Sequence, residues 1–136
     1  MKPNLWIACG ALLAGLSVSA GAFGAHWLTS TLRADTSISA EEAGRRIEIF
    51  HKAVQYQMYH ALSVALVGLL GQRFNSPCLT AAGWLFIAGI ALFCGCLYAM
   101  GLGSPRAKIA MLAPIGGASF IVGWICLTVA AWRGGT

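Results

Sequence analysis

Four long apolar stretches without a charged side chain constrain this sequence more than any other feature. They are Leu5–Leu28, Ala53–Gly71, Leu79–Leu102 and Ile109–Trp132. About 20 apolar residues in a helix cross the hydrocarbon core of a bilayer, and each stretch has roughly that length. Only 10% of the residues are charged, whereas soluble domains average about 25%. The sequence therefore predicts four membrane-spanning helices and argues against an ordinary soluble globular fold.

The segments between these stretches are too short to form a domain of their own. The longest is residues 29–52, and an independently folded domain usually needs more than about 40 residues. We therefore expect an all-α membrane protein with one integral membrane domain over residues 1–136. Short connections between consecutive spans predict a four-transmembrane-helix antiparallel bundle.

The connection 29–52 carries helix signals of its own. Ser39 followed by Glu42 is the pattern of a capping box, which starts a helix. Three acidic residues each precede a basic residue by four positions, a spacing that stabilises helices; the pairs are Glu41 with Arg45, Glu42 with Arg46, and Glu48 with Lys52. We predict an interfacial helix over residues 40–52 that leads into the second span. A solvated charged linker is the alternative interpretation.

The distribution of basic residues predicts the orientation in the cell membrane. With four spans, both termini lie on one side with Lys2, Arg73 and Arg133. The other side holds six basic residues: Arg33, Arg45, Arg46, Lys52, Arg106 and Lys108. Because basic loops stay inside, residues 29–52 are expected in the cytoplasm and both termini outside. The basic side also predicts a modest preference for anionic membrane lipids. No nucleic-acid partner is expected.

Small residues recur at the spacing that lets membrane helices approach closely. The candidate packing glycines are Gly21, Gly24 and Gly95, and Pro114 with Gly116 and Gly117 predicts a kink in the fourth span. Cys94 and Cys96 point in different directions on a helix, so we expect small packing side chains and no thiol chemistry. Neither a metal nor a cofactor is expected.

The second span contains the most unusual polar residues. Lys52, Tyr56, Tyr59, His60 and Ser63 share one helical face, and Gln57 lies at its edge. His26 and Tyr98 fall at a similar depth in neighbouring spans. Polar groups in a membrane face the bundle interior and often mark function, but a neutral histidine can also be purely structural. We predict one interhelical polar cluster of His26, Tyr56, Gln57, His60 and Tyr98.

Motifs in all four spans resemble the YgdD/YwdK-like family of small four-helix membrane proteins, which has eukaryotic transmembrane relatives and a domain of unknown function. The matching stretches are GAFGAH at residues 21–26, AVQYQMYHAL at 53–62, GWLFIAGIALF at 83–93, and PIGG at 114–117. The family leads us to expect serine at positions 94 and 96. The resemblance implies the fold and the membrane location but no activity.

Three classes of function remain open at this point. The first is a binding or assembly protein that engages lipid, other membrane proteins or a homo-oligomer through its packed helices. The second is a small transporter or channel lined by the polar cluster, although no span contains an acidic or basic residue of the kind that ion-coupled pathways usually hold. The third is a haem protein with His26 and His60 as axial ligands. No catalytic residue is indicated, and we do not expect an enzyme.

Overall fold

A computed structural model describes residues 1–104 and 110–134 of the chain, and within them the regular structure is entirely helical. Four long helices follow one another: α1 over Pro3–Ala34, α2 over Ala40–Leu70, α3 over Pro77–Gly101 and α4 over Leu112–Gly134. Each includes most of one predicted apolar stretch. Residues 106, 108 and 109, which supply two of the predicted cytoplasmic basic groups and the start of the fourth stretch, lie outside the described residues.

Three of these helices are long and apolar enough to cross a membrane. They are α1, α3 and α4. Helix α2 has 31 residues, but the polar side chains of residues 55–60 interrupt its apolar run. These same side chains make α2 the helix that most needs partners, because unpaired polar groups are costly in hydrocarbon.

Helix α2 begins where the capping signal predicts. The Ser39 hydroxyl oxygen accepts a hydrogen bond of 3.1 Å from the backbone N–H of Glu42. The helix expected over residues 40–52 is present and continues without a break into the second apolar stretch. Glu42 pairs with Arg46 at 2.9 Å, and Glu48 pairs with Lys52 at 2.8 Å. Arg45 also pairs with Glu42, three residues before it, instead of with the predicted Glu41.

Helices α1 and α2 pack closely and in opposite directions. A side chain at Gly10 would place its Cβ 2.5 Å from the backbone nitrogen of Ala65, and one at Gly68 would lie 2.7 Å from the carbonyl oxygen of Pro3. Further along, Gly24 lies against the ring of Phe50. Without a hydrophobic drive between helices in lipid, such backbone contact supplies the van der Waals attraction.

Helices α3 and α4 also pack in opposite directions, but through aromatic rings seated on glycines. Gly123 receives the ring of Phe86, Gly116 contacts Phe93, and Gly89 receives the ring of Phe120. The α1–α2 pair and the α3–α4 pair meet along α2 and α3, whereas α1 and α4 share no extensive contact in the described part of the chain. Helices α2 and α3 therefore form the centre of the molecule.

Two single π-helical turns interrupt the helices at Gly24–Leu28 in α1 and Ile90–Cys94 in α3. In α1, the hydroxyl of Thr29 donates a 2.7 Å hydrogen bond to the carbonyl oxygen of Gly24 across this turn. The wider turn shifts the register of α1, so that Leu28 and Leu32 face α2. There they form a second apolar cluster with Ala43 and Phe50, at the end of the α1–α2 hairpin.

Gly10 and Gly15 provide a matched pair on α1 for testing the packing. We expect Gly10→Ala to lower the stability of the folded protein by about 1–3 kcal/mol, because its Cβ would overlap the backbone of α2. Gly15 has nothing within 4 Å of its Cβ position, so Gly15→Ala should be neutral or stabilising by about 1 kcal/mol. Thermal unfolding in detergent or bilayer measures both variants. Equal destabilisation by the two substitutions would contradict this packing.

Candidate functional site

His60 lies at the centre of the contacts between α2, α3 and α4. Its side chain is buried, with 5% of the residue surface exposed. The ring Nδ1 lies 2.8 Å from the carbonyl oxygen of Tyr56, one turn earlier in α2. The indole N–H of Trp124 in α4 donates to Nε2 in a long hydrogen bond of 3.4 Å. Both ring nitrogens are therefore engaged.

These two partners fix the protonation state of the His60 ring. A carbonyl oxygen can only accept, so Nδ1 must carry the hydrogen. An indole N–H can only donate, so Nε2 must be the unprotonated acceptor. This arrangement fits only the neutral tautomer with hydrogen on Nδ1. A second proton on Nε2 would point at the Trp124 N–H and remove the link between α2 and α4.

Aromatic rings enclose His60 on several sides. The ring of Phe120 stacks on it with centroids 3.4 Å apart and an interplanar angle of 11°. Phe86 lies 5.7 Å away, and Tyr56 lies 6.1 Å away in a stacked orientation. Such offset and stacked ring contacts add to the free energy gained by burial alone. The imidazole thus acts as one more ring in an aromatic core.

Gln57 and Ser17 provide a second set of polar contacts on the opposite side of α2. The Gln57 side-chain amide donates a 2.9 Å hydrogen bond to the carbonyl oxygen of Leu13 in α1. In return, the Ser17 hydroxyl donates a 2.7 Å hydrogen bond to the carbonyl oxygen of Val54 in α2. Both side chains are buried. These reciprocal bonds hold α1 on α2 and leave neither polar side chain unpaired.

The structure does not bring all the predicted cluster residues together. Tyr56 and His60 stack on each other and both contact Phe120, whereas Gln57 faces α1. His26 is exposed on α1 because the π-helical turn directs Gly24 and Leu28 towards α2 instead. Tyr98 stacks edge-on against Phe50 at 4.9 Å, and its buried hydroxyl has no hydrogen-bond partner among the described residues. The expectation of one cluster is corrected: Tyr56 and His60 lie together, while Gln57, Tyr98 and His26 each have other surroundings.

The kink that the sequence predicted at Pro114 is absent from the fourth helix. Helix α4 begins at Leu112, so Pro114 lies in its first turn. Backbone N–H groups there have no intrahelical partner, and a proline removes nothing. Among the candidate packing glycines, Gly24 contacts the ring of Phe50 and Gly116 contacts the backbone of Phe93, whereas Gly21 and Gly117 have only ordinary contacts and Gly95 faces open space.

The residues that surround His60 on the other helices are Phe86, Phe120 and Trp124, and sequence reasoning missed all three. Aromatic residues in an apolar span give no sign of which ring will meet a histidine. One available signal was the spacing of glycines and aromatic residues, Phe86 with Gly89 and Phe120 with Gly123. Each glycine follows an aromatic residue by three positions. When two such helices pack in opposite directions, the ring of each one can therefore lie over the glycine of the other.

The geometry also bears on cofactors. Both nitrogens of His60 are engaged, and His26 is exposed on another helix. The site therefore presents no pair of free imidazole nitrogens to a haem iron. In the part of the chain that the structure describes, no three histidine, cysteine or acidic side chains come close enough to hold a metal ion. Cys94 and Cys96 are buried as small packing side chains.

The fold and these contacts define a small all-helical membrane protein with a neutral polar and aromatic core. The chain belongs to the family described as protein of unknown function (DUF423), whose pattern matches residues 20–117. This confirms the resemblance noted from the sequence motifs.

Two relatives illustrate how far the similarity extends. The chain is 37% identical over 129 residues to the UPF0382 membrane protein YwdK of Bacillus subtilis, covering 94% of this chain and 96% of that protein. It is 38% identical over 130 residues to the UPF0382 membrane protein SERP0230 of Staphylococcus epidermidis, covering 96% and 97%. No solved structure matches.

Trp124→Phe tests whether His60 depends on the indole N–H. The substitution keeps a ring but leaves Nε2 buried without a donor, so we expect a loss of about 1–3 kcal/mol in stability. Trp132→Phe is the matched control, since Trp132 lies two turns further along α4 and is 81% exposed. Thermal unfolding of both variants is the measurement. If Trp132→Phe lowered the stability as much as Trp124→Phe, the loss could not be assigned to the hydrogen bond with His60.

Proposed function

We propose that the protein is a non-catalytic membrane assembly module, in which all four helices span the bilayer as an antiparallel bundle. On this proposal α2 crosses from about residue 53 to its end at Leu70, and residues 40–52 lie at the membrane surface. The opposite directions of the packed helix pairs and the length of α2 support this arrangement. Its partners would be membrane lipids, other membrane proteins or a second copy.

The state of His60 is the observation that carries the proposal. A proton relay needs a group that alternates between protonated and neutral forms and can pass its proton on. The hydrogen-bond partners of His60 require a hydrogen on Nδ1 and none on Nε2, which is a single protonation state. The ring of Phe120 also covers one face of the imidazole. The most unusual group in the membrane therefore joins helices instead of serving as a conduit.

A small transporter or channel is the second candidate function. The hydroxyl of Tyr98 is buried and lacks a hydrogen-bond partner among the described residues, and a transient polar substrate would supply one. Against this, Gln57 and Ser17 are paired with backbone carbonyl oxygens. In the described part of the chain, these buried polar groups therefore do not form a continuous row from one end of the helices to the other.

A flux measurement separates these two functions. The purified protein in liposomes should carry no proton current above that of empty liposomes when a potassium gradient and valinomycin impose a membrane potential, as a pH-sensitive dye measures. It should also carry no potassium current when valinomycin is omitted and a protonophore provides the counter-flow of protons. The His60→Gln variant should give the same result. A flux that the wild-type protein produces and His60→Gln abolishes, with helical content unchanged, would establish the transporter and contradict the assembly module.

The proposed orientation rests on the charged end of the α1–α2 hairpin. In that region Ser37 donates two hydrogen bonds to Asp35, which lower the pKa of the Asp35 carboxyl, and Lys52 likewise lowers the pKa of Glu48. Both carboxyls therefore stay ionised at neutral pH, and the hairpin end remains fully charged. We place it in the cytoplasm and both termini outside, on the basic-residue rule.

The same hairpin would make the contacts with anionic lipid. Arg45 and Arg46 share the carboxylate of Glu42, and Lys52 pairs with Glu48, so much of their positive charge is balanced within α2. Basic residues near an anionic surface contribute about 1 kcal/mol each when unpaired. Such local balance supports a preference for anionic lipid that is modest rather than strong.

Labelling of Ser37→Cys tests the orientation. In a variant whose native cysteines are replaced, a thiol at this position should resist an impermeant maleimide applied to intact cells and react after permeabilisation. Lys2→Cys, near the N-terminus on the other side, is the matched control and should react in intact cells. The reverse pattern would place the hairpin outside and both termini in the cytoplasm.

A further inference from the structure

Helix α2 exposes a narrow stripe of residues that no other helix covers. The stripe consists of Gln55, Tyr59, Leu62, Leu66 and Leu69. The last four are 58%, 57%, 39% and 53% exposed, although most residues beside them on α2 are buried. The central helix of the molecule therefore reaches the surface along one line, and side chains that could make intermolecular contacts stand on it.

The spacing along this stripe suits a helix–helix seam. Its members follow at intervals of four, three, four and three residues, which keeps all five on one face of α2, as side-by-side packing of two helices requires. The three leucines fill consecutive seam positions in the half nearer Leu70. The polar Gln55 and Tyr59 occupy the two remaining positions, towards the charged end of α2.

The polar side chains of the stripe lack hydrogen-bond partners among the described residues. Unlike Gln57, which is bonded to α1, the Gln55 carboxamide and the Tyr59 hydroxyl have no side-chain hydrogen bond to any described residue. On the proposed span, Tyr59 lies about 10 Å below Lys52 at 1.5 Å per residue, inside the hydrocarbon core, where no water would serve as partner. A carboxamide and a phenol both donate and accept, so each can pair with an identical group.

We propose that a second copy of this chain packs against the Gln55–Leu69 stripe, so that two α2 helices form a parallel seam about a two-fold axis along the membrane normal. Copies inserted in the same orientation can only meet with α2 parallel, which brings each seam residue to its own counterpart. The two Gln55 amides then bond reciprocally, and a single polar seam position of this kind fixes register and pairing. The proposal deepens the assembly role by naming its partner and surface.

Cysteine cross-linking tests which face lies in the seam. In a variant without the native cysteines that unfolds at the wild-type temperature, Leu62→Cys and Leu66→Cys should form disulfide-linked dimers on oxidation in membranes. Leu12→Cys on α1 and Ile121→Cys on α4 are controls on other faces that are even more exposed, at 66% and 64%, and they should remain monomeric. Disulfides form only when the two Cα atoms approach within about 7 Å. Cross-linking at the controls but not at the seam would overturn the proposal.

Gln55 variants test the chemistry of the pairing. Energy transfer between labelled copies, diluted with lipid, should show that Gln55→Leu raises the dimer dissociation constant about 3- to 30-fold, the range expected for hydrogen bonds between membrane helices. Gln55→Asn keeps the carboxamide and should stay close to wild type. Because Gln55 is exposed, neither variant should change the unfolding temperature of the monomer.

The dimer and flux experiments can contradict the seam and the assembly role independently. A wild-type protein that is monomeric at every lipid dilution, or a dimer unaffected by Gln55→Leu, overturns the seam. Such a result leaves the flux experiment untouched, and an assembly module would then have to bind a different partner. Conversely, a His60-dependent flux in a protein that dimerises through Gln55 would overturn the assembly role and retain the seam.

Discussion

Close approach of the α1 and α2 backbones is the contact on which the rest of this structure depends. Gly10 of α1 lies against the backbone at Ala65, and Gly68 of α2 lies against that at Pro3. Only at this separation can Ser17 and Gln57 reach carbonyl oxygens on the opposite helix. Lipid chains are as apolar as the side chains they replace, so packing and hydrogen bonds must supply the attraction between helices. At the α1–α2 interface, the glycines provide the close packing, and the Ser17 and Gln57 side chains provide the hydrogen bonds.

Helices α3 and α4, in contrast, pack together through large aromatic side chains. Rings from α3 and α4 each occupy the space over a glycine of the opposite helix, and Phe120 placed in this way also covers His60. The imidazole is thereby held flat between helices while its two nitrogens bond to Tyr56 and Trp124. A histidine in a membrane helix invites a functional interpretation, but on the proposed assembly role these contacts make it a structural ring with two polar edges.

Sequence patterns predicted the elements of the fold well and the site only in part. Apolar length located the four helices, and Ser39 located the start of α2, because both signals are local. The predicted polar cluster was wrong for His26 and Tyr98, because the depth of a residue in the membrane does not determine the direction in which its side chain points. The π-helical turn at Gly24–Leu28 turned His26 outward, and no residue pattern in GAFGAH announced it. The Pro114 kink failed because the first turn of α4 begins only two residues earlier.

The exchange of rings and glycines between α3 and α4 constrains how this sequence can drift over evolutionary time. Phe86 and Gly123, or Phe120 and Gly89, share one volume, so neither member of a pair can change freely while the other stays. A larger residue at position 123 becomes acceptable only after position 86 has lost its ring. Related chains should therefore show correlated changes between these positions, and the distance between the two helices should persist even where the individual residues do not.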